Sequence, residues 1–323
     1  KPFEYDSKIP AKDCKGALMK DHYIPENKFP IKIDHNVLML GNYFFNLFLI
    51  IGKRHSALFE VGVSGIVDTV INQLEHLDIN PDFIIPSHPH SDHITGLPGL
   101  AKRYPKARIV VATGAKEFLD HPKAGPLLIK EDMFMSKRLA DFNIKPGRPS
   151  LEKIPTLDES RVINDKKSID LGQITLDLAK VKGHSPGNLM GILNSEKIIF
   201  CSDSLGFHFP GRGYLPLYFT HADAYLSTLN FIKEFNPSII CPAHQGYMAG
   251  KDAATGIQES LGITLNTIKN INQSPFSDER LAMDLFEQSY KDEFTLYTED
   301  NIKNCTSLLV KRAKEHHISK VII

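Results

Sequence analysis

Four side chains able to ligate a metal fall within six residues of this chain, in the run His88-Pro-His90-Ser-Asp92-His93. The run follows a short buried-type strand, Asp82 to Pro86, and α/β proteins tend to place their chemistry at the C-terminal ends of such strands. In an extended loop, alternation sends the side chains of His88, His90 and Asp92 to one side. His93 then needs a turn after Asp92 to face a neighbouring point. Two adjacent metal positions served from one loop follow. Neutral imidazoles and carboxylates suit zinc, iron, manganese or cobalt, and no nearby thiolate favours a soft metal. One histidine in a loop is commonly solvent-exposed or merely hydrogen-bonded, but three histidines and an aspartate at this spacing form a ligand pattern.

Later segments each add one metal-capable residue at the end of an apolar strand. VKGHSPGN offers His184, in a turn where Gly183 and Gly187 allow tight backbone and Pro186 fixes it. IIFCSDSLG offers Asp203, and IICPAHQG offers His244. Taken singly, a strand-end Asp is more often a turn former or helix cap. Together with the loop, these residues supply the remaining ligands of a two-metal site.

The surrounding pattern is that of a mixed α and β protein. After an irregular lead, His35 to Gly62 reads as a strand meander, and Ser64 to Leu77 as a helix with Ser64 as N-cap. RIVVA at Arg108 to Ala112 is a strand, Thr113 to His121 a short helix, and Pro126 to Phe142 a helical stretch rich in Leu, Met and Phe. Strands return from Ser168, and a helix over Ala222 to Phe235 leads into SIICP. Strand-rich segments with interleaved helices in both halves predict an α+β, four-layer αββα sandwich. Beyond Gly250 the pattern is helix only, over about Asp252–Gln273, Asp278–Tyr290 and Glu299–His317. The expected organisation is a catalytic domain over residues 1–250 and a helical extension over residues 251–323 capping the site.

Composition narrows the partners. Lys plus Arg and Asp plus Glu both total 38, so no global field favours nucleic acid or an anionic membrane, and a small-molecule substrate fits better. Cys14, Cys201, Cys241 and Cys305 lie far apart, without a disulfide framework or thiolate zinc site. A reduced cytoplasmic setting is the default, with export left open because Lys1 is not an initiating Met. No apolar run approaches the roughly 18 to 20 residues of a membrane helix. The oligomeric state is open, a dimer being one option.

At its ligand residues the sequence resembles a known family. SHPHSDH, GHSPGN, FCSDS and PAHQG, in this order, look like the ligand motifs of the metallo-β-lactamase fold hydrolases, over roughly residues 35 to 250. The resemblance implies two divalent transition metals at the edge between the sheets. His88, His90 and His184 would hold one, Asp92, His93 and His244 the other, with Asp203 bridging. Two metals about 3.5 to 4 Å apart lower the pKa of a shared water, giving a hydroxide that attacks a polarised carbonyl. Asp92 and Asp203 are the candidates to orient that nucleophile or move its proton. Asp rather than Cys at position 203 resembles the hydroxyacylglutathione hydrolase and lactonase branches. Glu60 stands where many relatives carry Asp, a residue that supports the ligand loop, and the longer side chain puts that support in question.

The stretch from Asp203 to Gly246, followed by an all-helical tail, looks most like the PqsE-like quinolone-signal response thioesterases. That similarity favours hydrolysis of an acyl thioester such as an acyl-CoA. Phe134, in a Met- and Phe-rich stretch, is read as part of a lid, while His208, Tyr214, Tyr218 and His221 are candidates to line the pocket. Competing readings are N-acyl homoserine lactonase, glutathione thioester hydrolase and phosphodiesterase, or a regulatory binding protein with little turnover.

Overall fold

The computed structural model describes residues 22–316, so Cys14 lies outside them. The first sheet runs β1 (Ile31–Asp34), β2 (Val37–Gly41), β3 (Asn46–Ile51), β4 (Ser56–Phe59), β5 (Phe83–Ile85), β6 (Arg108–Ala112) and β7 (Arg161–Ile163), adjacent in that order. The first four form an antiparallel meander, and β4 to β7 pair in parallel. Next come β8 (Lys166–Asp170), β9 (Thr175–Val181), β10 (Asn188–Leu193) and β11 (Ile198–Phe200), a hairpin of β12 (Phe207–Phe209) and β13 (Gly213–Leu215), then β14 (Ile239–Cys241) and β15 (Met248–Ala249). The second sheet has the order β15-β14-β11-β10-β9-β8, with β11 and β14 parallel.

Parallel neighbours require crossovers, and helices supply most of them. These are α1 (Val67–His76), α2 (Ser91–Ile94), α3 (Leu97–Arg103), α4 (Ala115–Leu119) and α5 (Ala124–Arg138) in the first half, and α6 (Ala222–Phe235) between β11 and β14. Between the sheets, Met39, Phe48, Ile50 and Phe59 meet Leu176, Leu178, Leu189 and Phe200. The Phe200 ring lies 5.4 Å from Phe48 and 5.6 Å from Phe59. The alternate residues Leu47, Leu49 and Leu58 join Val67, Val70 and Leu74 of α1 in a second core. A strand covered on both faces reads as a continuous apolar run, which is why Asn46–Ile51 shows no alternation. Burying one such side chain contributes roughly 1.5–3 kcal/mol, whereas an exposed ion pair like Arg103–Glu75 is screened by water and adds little. The sandwich is therefore held by its apolar layers, and it is the αββα arrangement that the strand and helix pattern predicts.

After Gly250 come α7 (Lys251–Gln273), α8 (Asp278–Ser289) and α9 (Glu299–Glu315), with a 3-10 turn over Asp292–Leu296 before α9. Ser277 and Thr298 cap α8 and α9, accepting from Arg280 N at 3.3 Å and Asn301 N at 3.2 Å. The helix α7 packs on α6 and on β13, and α9 packs on α7 and α8. Among the described residues no helix is long and apolar enough to cross a membrane.

One expected cap is not made. Ser64 opens a 3-10 turn, Ser64–Ile66, ahead of α1, and its hydroxyl donates to Asp132 Oδ2 at 2.6 Å. The hydroxyl is turned toward the buried carboxylate on α5, and its oxygen accepts from no N–H of the helix end.

Candidate metal centre

Strand pairing brings the ligand segments to one edge of the sandwich. Because β4 and β5 are parallel and in register, Glu60 and the His88 loop leave the first sheet side by side, with Glu60 N donating to Ile85 O at 2.9 Å. The parallel pair β11 and β14 does the same for Asp203 and His244, and Cys201 N donates to Cys241 O at 3.1 Å. His184 comes from the turn joining β9 to β10. There Gly183 has φ +106°, and a Cβ would sit 2.3 Å from Tyr225 N. Gly187 has φ +68° and equally close backbone at Ala115, 2.4 Å away, so this turn admits no larger residue at either position. Three non-glycine residues at the rim, Glu60 (φ 75°), Ser202 (φ 49°) and Gln245 (φ 57°), are also left-handed. Such conformations cost about 1–3 kcal/mol each and cluster where a site must be held in place.

The loop itself differs from the alternating reading. His90 is extended, but Ser91–Ile94 forms a helical turn, α2. Asp92 and His93 are therefore presented by helical geometry, successive residues pointing about 100° apart.

The side chains converge in two groups, each able to hold a metal ion: His88, His90, His184 and Asp203 in one, Asp92, His93 and His244 in the other. His88 Nε2 lies 3.0 Å from His90 Nδ1 and 3.1 Å from His184 Nε2. Asp203 Oδ2 is 3.4 Å from His184 Nε2 and 3.3 Å from His93 Nε2, while its Oδ1 is 3.4 Å from His244 Nε2. Asp203 thus faces both groups.

Four of the rings are held from outside through their far nitrogen. His184 Nδ1 donates to Leu217 O at 2.8 Å and His244 Nδ1 to Phe44 O at 2.6 Å, while His93 Nδ1 sits 3.2 Å from Glu60 Oε2 and His88 Nδ1 is 2.9 Å from Ser87 Oγ. These contacts leave the inner nitrogens with lone pairs aimed at one another. His93 Nε2 and His244 Nε2 are buried and make no hydrogen bond among the described residues. Converging lone pairs repel unless a cation lies among them, so these donors fit metal binding.

Charge follows the same division. Burial, reinforced by His93, His90 and His184, pushes His88 well below the usual imidazole range. Burial and His184 take His90 down to about 3, and burial also lowers His184. These rings are neutral at pH 7, as ligation requires. In the other group burial opposes the charged form, but Asp92, Asp203 and Glu60 outweigh it and raise His93, and Asp203 and Asp92 raise His244. Burial likewise pushes Asp92 and Asp203 up, yet their histidine neighbours hold both carboxyls below the ordinary range.

Aromatic rings surround the cluster. Phe219 lies 5.3 Å from His184, Phe118 5.9 Å from His90, and Phe207 5.5 Å from His244. A small cavity against Asp203 and His244 is bordered by Phe207, His208, Tyr214, Gln245 and Met248. His208 and Tyr214, cross-strand partners in the hairpin, thus stand beside the centre, with Tyr214 OH donating to Met248 Sδ at 3.3 Å. The other expected pocket residues lie elsewhere. Tyr218 is fully buried 6.1 Å from Tyr225, away from that cavity. His221 is exposed and caps α6, accepting from Ala224 N at 3.3 Å, so it performs a helix-end role. Phe134 is half-buried on α5 and does not border the cavity, while neighbouring Met133 is 54% exposed. Glu60 is buried, and its contact with His93 is the supporting one.

Sequence reasoning missed Tyr297. Its hydroxyl donates to Asp92 Oδ2 at 2.8 Å. It directly precedes the cap Thr298, and Ile302 is buried in the next turn, a staple-like pattern that marks a buried ring but not its partner. Phe294, from the same segment, packs 4.5 Å from Phe207.

Two mixed sheets packed face to face, with a histidine and carboxylate cluster at one edge, define the class of αββα metallohydrolase folds. Residues 42–244 match the profile of the Metallo-beta-lactamase superfamily, and the chain belongs to that superfamily, whose members are commonly metal-dependent hydrolases. Among solved structures, it is similar to an archaeal metallo-beta-lactamase superfamily protein from Sulfolobus tokodaii, with 20% identity, TM-score 0.57, and 88% of this chain and 100% of that one covered. A metallo-beta-lactamase family protein from Thermus thermophilus shows 16% identity and TM-score 0.62 over 86% of this chain and 93% of that one. A stereoselective inverting sec-alkylsulfatase from Pseudomonas sp. shows 13% identity and TM-score 0.60 over 89% of this chain and 50% of that one. At these identities the likeness is one of fold. No curated protein matches the chain.

Proposed function

We propose that the chain is a dinuclear metal-dependent hydrolase of ester-type carbonyls, with an acyl thioester as its substrate. The observation that carries this reading is Asp203, whose two oxygens face the two ligand groups at 3.4 Å from His184 and 3.4 Å from His244. His88, His90 and His184 would hold one ion and Asp92, His93 and His244 the other, with Asp203 shared. When bound, two divalent ions such as zinc, iron or manganese supply Lewis acidity and make hydroxide available near neutral pH. Asp203 and Asp92 would be the carboxylates that orient the attacking water or accept its proton. The rings of Phe118, Phe207 and Phe219 keep bulk water away and strengthen those contacts.

The substrate class rests on the leaving group. A thiol of pKa about 8.5 leaves as thiolate with little help from an acid. The resemblance over Asp203 to Gly246 and the helical tail points the same way.

The test is a panel of acyl-CoA, acyl lactone, lactoyl-glutathione and bis-nitrophenyl phosphate substrates, with elemental analysis of the purified protein. We expect close to two metal equivalents per chain, fastest turnover of acyl-CoA, and loss of activity in a folded Asp203→Ala variant. Preference for the phosphodiester overturns the substrate class, and a folded, active, metal-free protein overturns the centre.

A further inference from the structure

The imidazole ligands with an outer hydrogen-bond partner draw it from the sandwich: Ser87, Glu60, Leu217 O and Phe44 O serve His88, His93, His184 and His244. Asp92 is different. Its carboxylate accepts a hydrogen bond from the Tyr297 hydroxyl, at 2.8 Å, and so takes its outer support from the C-terminal extension. Tyr297 lies beyond the 42–244 stretch that defines the superfamily match. The bond reaches Oδ2, the same oxygen that lies 3.3 Å from His93 Nε2 and 3.5 Å from His244 Nε2.

We infer that Tyr297 is a positioning residue for the second metal position, so that the C-terminal segment sets the affinity of the Asp92, His93 and His244 group while leaving the other group unaffected. This rests on the dinuclear reading above. A carboxylate on a short helical turn can rotate about two side-chain bonds, and a donor on its outer lone pair fixes the remaining one toward the ion. Loss of such an outer contact typically weakens metal binding by about 10- to 100-fold. The Tyr297 ring is itself fixed, 5.5 Å from Phe294 and 6.3 Å from Phe207, and the segment is tied down where Thr298 Oγ1 and N donate to buried Glu131. The hydroxyl is therefore delivered by a rigid support. The outer contacts of the first group come from Ser87 and Leu217 O, neither of them in this segment, so its affinity stands apart.

The test is titration of the chelator-stripped full chain with cobalt(II), followed by calorimetry and by the visible absorption of the bound ion. Wild type should take up two equivalents. Tyr297→Phe, which keeps the ring, should bind the first equivalent unchanged and the second about 10- to 100-fold more weakly. Tyr218→Phe, which removes a hydroxyl buried beside Tyr225 and not bonded to Asp92, should leave both affinities unchanged. An unaltered second equivalent in Tyr297→Phe overturns the inference, as does equal weakening in Tyr218→Phe. Wild type that takes up only one equivalent overturns the dinuclear reading itself.

Discussion

At the scale of single residues, the electrostatics of the hairpin give a pH signature separate from the metals. Burial lowers the His208 imidazole below its ordinary value, with Glu259 and Glu293 opposing. Between that lowered value and about 6.5, the unfolded chain binds the proton that the folded chain refuses. Stability therefore rises with pH across this window and is lost as pH falls through it. His208→Gln should flatten the drop in melting temperature as pH falls below about 6.5; an unchanged slope would mean that burial of His208 carries no cost. Residues at this scale were unequally legible. His88, His90, Asp92 and His93 stand out because they are contiguous, and Asp203 and His244 because each ends an apolar strand. Tyr297 carries no such mark: its role depends on an acceptor 205 positions away. His221 looked like a pocket residue through its distance from Asp203 alone, and the helix that starts beside it took it.

At the scale of elements, α5 is the joint between the two halves of the site's surroundings. Asp132 on this helix accepts four hydrogen bonds, from Ser64 N and Oγ, Thr95 Oγ1 and Leu151 N, at 2.6 to 2.9 Å. Its neighbour Glu131 holds the start of α9 through Thr298. Removing a buried acceptor strands its donors at about 1–3 kcal/mol each before relaxation, and single-site losses above about 4–5 are exceptional. Asp132→Ala should therefore cost about 3–5 kcal/mol in urea unfolding, whereas a loss below about 1 would show that the network relaxes freely. Periodicity located α6 well, since it is amphipathic over several turns, whereas α5 buries Glu131 and Asp132 and exposes Leu127 and Met133. It failed for α2, because a four-residue helix offers no periodicity to read.

At the scale of the whole molecule, the helices after Gly250 finish the core as well as cover it. Ala253, Ile257, Ile268 and Ile271 of α7 are buried in the same apolar cluster as Leu229 and Ile232 of α6 and Phe207 and Phe209 of the hairpin. Truncation after Gly250 uncovers that surface, and exposed patches above a few hundred Å² typically drive association. The shortened chain should elute as aggregate in size exclusion and bind a hydrophobic dye; a monodisperse, dye-negative product would make the extension a mere appendage. The strand and helix pattern made this architecture readable, because two-sided burial writes continuous apolar runs. The contacts that join the tail to the centre were not, since they are made by isolated side chains.

The centre is also spread along the chain in time. The carbonyl that orients His244 belongs to Phe44, and the hydroxyl on Asp92 belongs to Tyr297. During synthesis the chain emerges from its amino end, and domains fold as units once their sequence is available. A nascent chain presenting His88 to His93 already carries Ser87 and Glu60 but lacks His184, Asp203, His244 and Tyr297, so it makes a poor metal scavenger. Loading would thereby wait until Tyr297 has emerged, when the ion meets a finished cradle instead of a loose histidine loop.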